Sequence, residues 1–434
     1  MGSSPIFSWY QALSAPWEVR PYGRRWKPDF FISEKEDDSL KRNRCIFLIG
    51  IYIILAFCGC TAVKEQPVFT ETNTKDVILE HPSDVQDEEN KSADVSMKSD
   101  ENDDSSKEPV QFGEYDFTLC FAGDINLDDD WSTVEYMNRQ EKGILDCISP
   151  ELVQTMQEAD VMCLNHEFTF STDGEPLKGK LYHFRAHPDK VSILQTLGVD
   201  AVSLANNHAC DFGGISLVQT METLKNAGIA YVGAGANLEE AMSPIFFELD
   251  GKTIAIVAGS RAEKNKKTPQ ATETEPGILR CYEPELLKQA IGEAKEQADF
   301  CILFIHWGTE YSTKLEEAQL VTGKEYLDAG ADVIIGAHPH CLQGIEYHNG
   351  KPIVYSLGNY WFNEKTMDTM LVNLHFYGNE KEEHLEVKII PGLQDGYETH
   401  YVVEKTAQRA LFDRLEKLSV NVEISDDGIV TELK

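Results

Sequence analysis

Positive charge is scarce in this sequence. Lys and Arg number 39 against 73 Asp and Glu, a formal net charge of −34 over 434 residues. That balance excludes a nucleic acid partner, because duplex binding relies on Lys and Arg replacing counterions. It also means that an anionic substrate needs a local positive centre, such as a metal. C-x-x-C spacing is missing too among the ten cysteines, so a four-cysteine zinc site is unsupported. Cys45, Cys58 and Cys60 share one apolar segment and the other seven are scattered. Cys120, Cys163 and Cys301 lie inside apolar runs, which reads as buried free thiols. Internal repeats are absent. The length and the 42% hydrophobic content support a sizeable core, in one large domain or two ordinary ones.

The clearest targeting signal is KRNRCIFLIGIYIILAFCGCTAVK. Residues 45–63 carry no charge and come close to the ~20 residues that span a bilayer core. Lys41, Arg42 and Arg44 precede the run and Lys64 follows it. The positive-inside rule then keeps the N-terminus in the cytoplasm and exports the rest. The end of the run, LAFCGC, resembles a bacterial lipobox, with Gly59 before Cys60. Processing there makes Cys60 the lipidated N-terminus; without processing the run stays a single transmembrane helix. Either way the expected location is the cell membrane, with the following domain outside. Residues 64–108 hold 14 acidic and 5 basic side chains. With few apolar positions, the segment 64–113 reads as a disordered, self-repelling acidic linker.

From Tyr115 the texture changes to apolar runs that end in polar groups, separated by helical stretches. YDFTLCFAGDINL, ADVMCLNHEFTF, VDAVSLANNHACDFG, ADFCILFIHWGTEY and ADVIIGAHPH read as strands. ISLVQTMETLKNAG reads as a helix, with Ile215, Leu217, Val218, Met221 and Leu224 on its apolar face and Gly228 as its C-terminal cap. PIFFELDGKTIAIVAG and IEYHNGKPIVYSLGNYWF read as hairpins turned at Asp250-Gly251 and Asn349-Gly350. Strands alternating with helices predict an α/β sheet. Beyond Met370 the pattern is strand-rich, with a terminal amphipathic helix at AQRALFDRLEKLS.

Five strand ends carry polar groups: GDIN (123–126), NHE (165–167), NNHACD (206–211), HWGTE (306–310) and GAHPH (336–340). In open α/β sheets ligands bind beyond such carboxyl ends. Taken singly, each group could cap a helix or satisfy loop backbone. Together they offer a donor set for paired Mn, Fe or Zn ions. Asp124 and Glu167 supply carboxylates, His306, His338 and His340 supply imidazoles, and Asn126 and Asn207 supply amide oxygens. Strand alternation puts His338 and His340 on the same side, one for each of two adjacent divalent metals.

The segments ANNHACDFG, HWGTEY and IIGAHPHCLQGIEYHNGKPIVYSLGNYWF resemble the CapA family of poly-γ-glutamate capsule biosynthesis proteins. That family looks like a branch of the calcineurin-like metallophosphoesterases. The resemblance runs from about Leu119 to Phe362, with the motifs in family order. It implies a metallophosphatase-like αββα sandwich with mixed sheets, two divalent metal ions, and the following roles. Asp124 is the first-strand ligand, with Asn126 where the superfamily often has His. Glu167 is the bridging carboxylate, Asn207, His306, His338 and His340 are further ligands, His208 protonates the leaving group, and Asp211 orients His208. Beyond the resemblance, Arg185 and Glu310 are candidates to complete a substrate pocket, Arg185 for an anionic group, with Glu310 alternatively a partner of a ligating His. His166 reads as structural.

The chain thus divides into a tail and signal segment (1–63), the acidic linker (64–113), a CapA-like metallophosphatase domain (114–365), and C-terminal strands and helix completing that domain (366–434). The expected function is a membrane-anchored, extracellular two-metal hydrolase of phosphoester or amide bonds, serving poly-γ-glutamate synthesis, export or processing. Its expected partners are the membrane, the polymer and other capsule synthesis proteins. The alternative is a non-catalytic scaffold subunit of a capsule complex that keeps the same fold.

Overall fold

Two mixed sheets arise from the alternating apolar runs. The computed structural model describes residues 115–262, 267–379 and 381–434. The expected membrane segment, Cys60 and the acidic linker lie outside the described residues. Among the described residues no helix is long and apolar enough to cross a membrane.

The chain begins the first sheet with β1 (Tyr115–Ile125), β2 (Val161–His166), β3 (Ala201–Ser203) and β4 (Ala230–Val232), parallel and adjacent in that order. It then builds a second sheet from β5 (Ile245–Leu249), β6 (Lys252–Arg261), β7 (Phe300–Trp307), β8 (Val333–Ala337), β9 (Ile345–His348) and β10 (Lys351–Val354). The order there is β9-β10-β8-β7-β6-β5, parallel in the middle with an antiparallel hairpin at each edge. The chain returns to the first sheet with β11 (Asn359–Trp361), β12 (Met367–Gly378), β13 (Glu383–Asp395), β14 (Glu398–Tyr401), β15 (Val422–Ile424) and β16 (Ile429–Glu432). β12 lies antiparallel along the free side of β1, and β11 runs parallel to the end of β1.

The period-2 alternation of β1 explains the layering. Phe117, Leu119 and Phe121 face a central core shared with Ile254, Ile302, Phe304 and Ile335 of the second sheet. Cys120 and Ala122 face the other way, onto Leu152, Met156, Leu194, Leu217 and Met221 of the covering helices. The second sheet repeats this arrangement, with Val257, Leu303 and Ile334 under Leu287, Ile291 and Tyr326. Helices, sheet, sheet and helices therefore stack in four layers. The edge-to-face pair Phe121–Phe304, 5.6 Å between centroids at 87°, ties the sheets together. Each such buried ring contributes ~1.5–3 kcal/mol by area alone.

Both predicted hairpin turns form. Asp250 and Gly251 have φ of 48° and 78°, and Asn349 and Gly350 have 54° and 78°, the left-handed pair of a type I′ turn. All seven described cysteines are buried free thiols.

Four local readings change. Ile215 lies on the outer face of the Gly214–Asn226 helix and is exposed, while Ser216 and Thr220 take core-facing places. The helix Glu285–Lys295 and the last two strands were not anticipated. The second hairpin ends at Val354, and SLGNYW crosses to the first sheet, where Asn359 pairs with Asp124. Finally, His338 and His340 are not strand residues. β8 stops at Ala337, and the two histidines adopt φ of 99° and 56° in the turn beyond, a region non-glycine residues seldom occupy. Their shared direction comes from that turn, not from strand alternation.

Candidate metal centre

Five strand ends deliver the polar groups to one place between the sheets. Asp124 sits near the end of β1, directly after Gly123. A Cβ on Gly123 would lie 1.9 Å from the Gly358 carbonyl oxygen, so glycine alone lets the two backbones meet there. The Asp124 N–H then donates to that carbonyl at 3.1 Å. Glu167 follows β2, its N–H bonded to Ile125 O. Asn207 and His208 lie in the turn after β3, His306 is the penultimate residue of β7, and His338 and His340 follow β8. All seven side chains are buried, with Asp124 and Glu167 0% exposed.

Their donor atoms form two groups that share Glu167. Glu167, His306 and His338 form one, and Asp124, Glu167 and His340 the other, with the atoms of each group within 4.8 Å of one another. In the first, His306 Nε2 stands 3.6 Å from Glu167 Oε1, 3.1 Å from His338 Nδ1 and 2.7 Å from Asn207 Oδ1. In the second, His340 Nδ1 is 3.1 Å from Asp124 Oδ2, and its Nε2 is 3.9 Å from Glu167 Oε1. His338 and His340 thus fall in different groups.

The donor set fits a metal. Asp124 Oδ2 and Glu167 Oε1 are buried and accept no hydrogen bond among the described residues. Buried, uncompensated carboxylate oxygens are costly, and a divalent cation would satisfy both. The mixture of imidazole, carboxylate and amide donors suits Mn, Fe or Zn.

The electrostatics point the same way. Burial, reinforced by the adjacent Asp124 charge, pushes Glu167 well above the usual carboxylate range. Burial, reinforced by the charges of neighbouring histidines, holds His306 and His338 well below the usual imidazole range, which favours the neutral, ligating form. Burial acts to lower His340 as well, but contact with Asp124 and the charge of Glu310 carry it upward.

Beside the two groups stands a proton-handling pair. His208 Nδ1 meets Asp211 Oδ2 at 2.6 Å, and His208 Nε2 faces Glu167 Oε1 at 4.0 Å. Burial keeps His208 below its usual value against the opposing pull of Asp211. Burial would raise Asp211, yet His208 and Lys180 together draw it down. The Phe184 N–H also donates to Asp211 Oδ2, at 2.7 Å.

Three expected residues stand differently. The Asn126 amide oxygen accepts the Asp128 N–H at 2.9 Å, so it is already engaged in a local turn. Arg185 lays its guanidinium over the Phe212 ring, 3.3 Å from the centroid, and donates its backbone N–H to Asp128. Glu310 is exposed at the rim, acting on Glu167 and His340 through its charge. The cation that does enter the centre is Lys180, which sequence reasoning missed. Its ammonium pairs with Asp211 Oδ1 at 2.7 Å and also donates to the Asn207 carbonyl. A Gly-Lys loop in so acidic a chain was the available signal. His166 lies against Phe168, 3.8 Å between ring centres, and joins neither group.

Known proteins are similar to part of this chain. The chain is 34% identical over 204 residues to the PGA biosynthesis protein CapA of Bacillus subtilis (strain 168), covering 46% of this chain and 53% of that protein. It is 34% identical over 207 residues to the capsule biosynthesis protein CapA of Bacillus anthracis, covering 46% and 50%. The chain thus spans about half the length of the curated relatives it matches. Among solved structures, a hypothetical protein from Thermus thermophilus is similar over 64% of this chain and 99% of its own, at 14% identity and a TM-score of 0.37. The family model of the bacterial capsule synthesis protein PGA_cap matches residues 118–364, more than half the sequence, and the chain belongs to that family.

Proposed function

We propose that this protein is a two-metal hydrolase of phosphoester or amide bonds, held at the cell membrane with its folded domain outside, in the synthesis, export or processing of poly-γ-glutamate capsule polymer. The observation that carries the reading is Glu167, a buried carboxylate common to two ligand groups, which is what a pair of adjacent ions requires. Glu167, Asn207, His306 and His338 would hold one divalent ion, and Asp124, Glu167 and His340 the other. Bound there, Mn, Fe or Zn would supply Lewis acidity and a water-derived nucleophile at neutral pH.

The chain's own residues supply the rest. In its imidazolium form His208 would carry a proton at Nε2 toward the leaving atom, while its Nδ1–H is held by ionised Asp211. Lys180, after His208 itself, helps hold Asp211 ionised and in place. Phe184 over His208 and Phe362 over His340, at 4.3 and 4.5 Å between ring centres, wall the centre against water. The capsule role follows from the relatives' printed names, which concern capsule and PGA biosynthesis.

The test is elemental analysis of the purified full-length protein, followed by assays on a generic phosphodiester and on poly-γ-glutamate with and without Mn(II). Bound metal and Mn-dependent turnover that His338→Ala abolishes support the hydrolase. Absence of metal, together with unimpaired capsule production by His338→Ala, supports the scaffold alternative and defeats this reading.

A further inference from the structure

Asp124 has an asparagine on each side. In the sheet register its partner on β2 is Asn165, and its partner on β11 is Asn359. Both are fully buried, and neither belongs to the ligand groups. Asn165 donates from a single nitrogen, Nδ2, to Asp124 Oδ1 at 2.7 Å and to Glu167 Oε2 at 3.1 Å. The oxygens it leaves alone, Asp124 Oδ2 and Glu167 Oε1, are the two that accept no hydrogen bond among the described residues. Asn206 in turn donates to Asn165 Oδ1 at 3.3 Å and accepts the His208 N–H. Asn359 places Oδ1 2.8 Å from His340 Nδ1. A proton on that nitrogen, which also lies 3.1 Å from Asp124 Oδ2, leaves Nε2 as the free lone pair, on the side of Glu167 Oε1.

We infer that Asn165 and Asn359 are positioning residues that determine which atoms of Asp124, Glu167 and His340 face the metals. This rests on the two-metal reading above. Asn165 holds back one oxygen from each carboxylate, so each turns its other oxygen inward. Asn359 fixes the tautomer and ring direction of His340. An amide suits the first task because it donates without adding charge, whereas an aspartate at 165 would set a third anion against two others. Outer partners of this kind typically tune metal affinity by ~10–100-fold.

The two asparagines predict different defects. Asn165 touches Glu167, which both groups use, so its loss weakens both ions. The Asn359 side chain is hydrogen-bonded to His340 alone among the ligands, so its loss weakens one.

The experiment titrates metal-free, full-length protein with Mn(II), reading stoichiometry and Kd by calorimetry and the coupling between bound ions by electron paramagnetic resonance. Circular dichroism checks folding. Wild type is expected to bind two coupled ions. Asn359→Leu should weaken one site by ~10–100-fold, and Asn359→Asp, which keeps an acceptor on His340, should restore it. Asn165→Asp should weaken both sites; if it does not fold, the smaller, uncharged Asn165→Ser carries the same test. Folded variants with wild-type affinities overturn the inference alone, as does equal weakening of both sites by Asn359→Leu. Wild type that binds no Mn(II) overturns the underlying two-metal reading and the inference with it.

Discussion

The two ligand groups share one carboxylate but are built from different material. The group of Glu167, His306 and His338 takes its imidazoles from the second sheet and its amide, Asn207, from the first. It is rich in neutral donors, because burial and crowding hold both histidines in the unprotonated form. The group of Asp124, Glu167 and His340 has two carboxylates and one imidazole drawn toward its charged form. Asparagine amides frame that side through Asp124, Glu167 and His340. The contrast teaches that neither sheet carries a complete site. Each contributes what the other lacks, and Glu167 joins them.

Removing the shared ligand breaks both halves at once. Glu167→Ala should abolish metal-dependent hydrolysis and lower metal affinity by more than the ~10–100-fold typical of an outer partner. Removing an unshared ligand should separate the halves: His306→Ala and Asp124→Ala are each expected to leave one tight ion, which metal titration reads directly. A packing change between the sheets should loosen both without touching a ligand. Phe304→Ala, which removes the ring meeting Phe121, should cost about 3–5 kcal/mol of stability in denaturant unfolding. Lys180→Met should spare metal stoichiometry and slow turnover, by less than the ~10²–10⁴-fold that losing a general acid costs, with a shifted pH–rate profile.

The smallest expected effect is on metal-free stability. Burial holds His208, His306 and His338 below their usual values and His166 at about 3. The unfolded chain takes up those protons near pH ~6.5 while the folded chain resists them. Their contribution is therefore full above that pH and is lost as the pH falls below it. His340 and Glu167, both shifted upward, offset part of the loss. Melting temperature in chelator should fall between pH 7 and 5.5, and added Mn(II) should raise it at pH 7.

Much of this was legible in the sequence because strand ends are local. GDIN, NHE, NNHACD, HWGTE and GAHPH each close an apolar run, and parallel strands bring such ends to one edge. The Asp-Gly and Asn-Gly turns were legible for the same reason. What could not be read depends on partners distant in the chain. Asn359 matters because SLGNYW leaves the second sheet and lies beside Asp124, 235 positions earlier. Lys180 matters because its loop folds back onto Asp211 and the Asn207 carbonyl. Asn165 stood within a recognised motif, yet its two-carboxylate contact appears only once β1 and β2 are in register. Arg185 is a further case, since its guanidinium lies over the ring of Phe212, 27 positions later.

On the two-metal reading, Glu167 joins the two sites. Elemental analysis by plasma mass spectrometry, run side by side on full-length wild type and Glu167→Ala after reconstitution with Mn(II) and desalting, tests it most directly. Two ions per wild-type chain and none retained by the variant are expected. No metal on wild type, or two ions still held by Glu167→Ala, would contradict it.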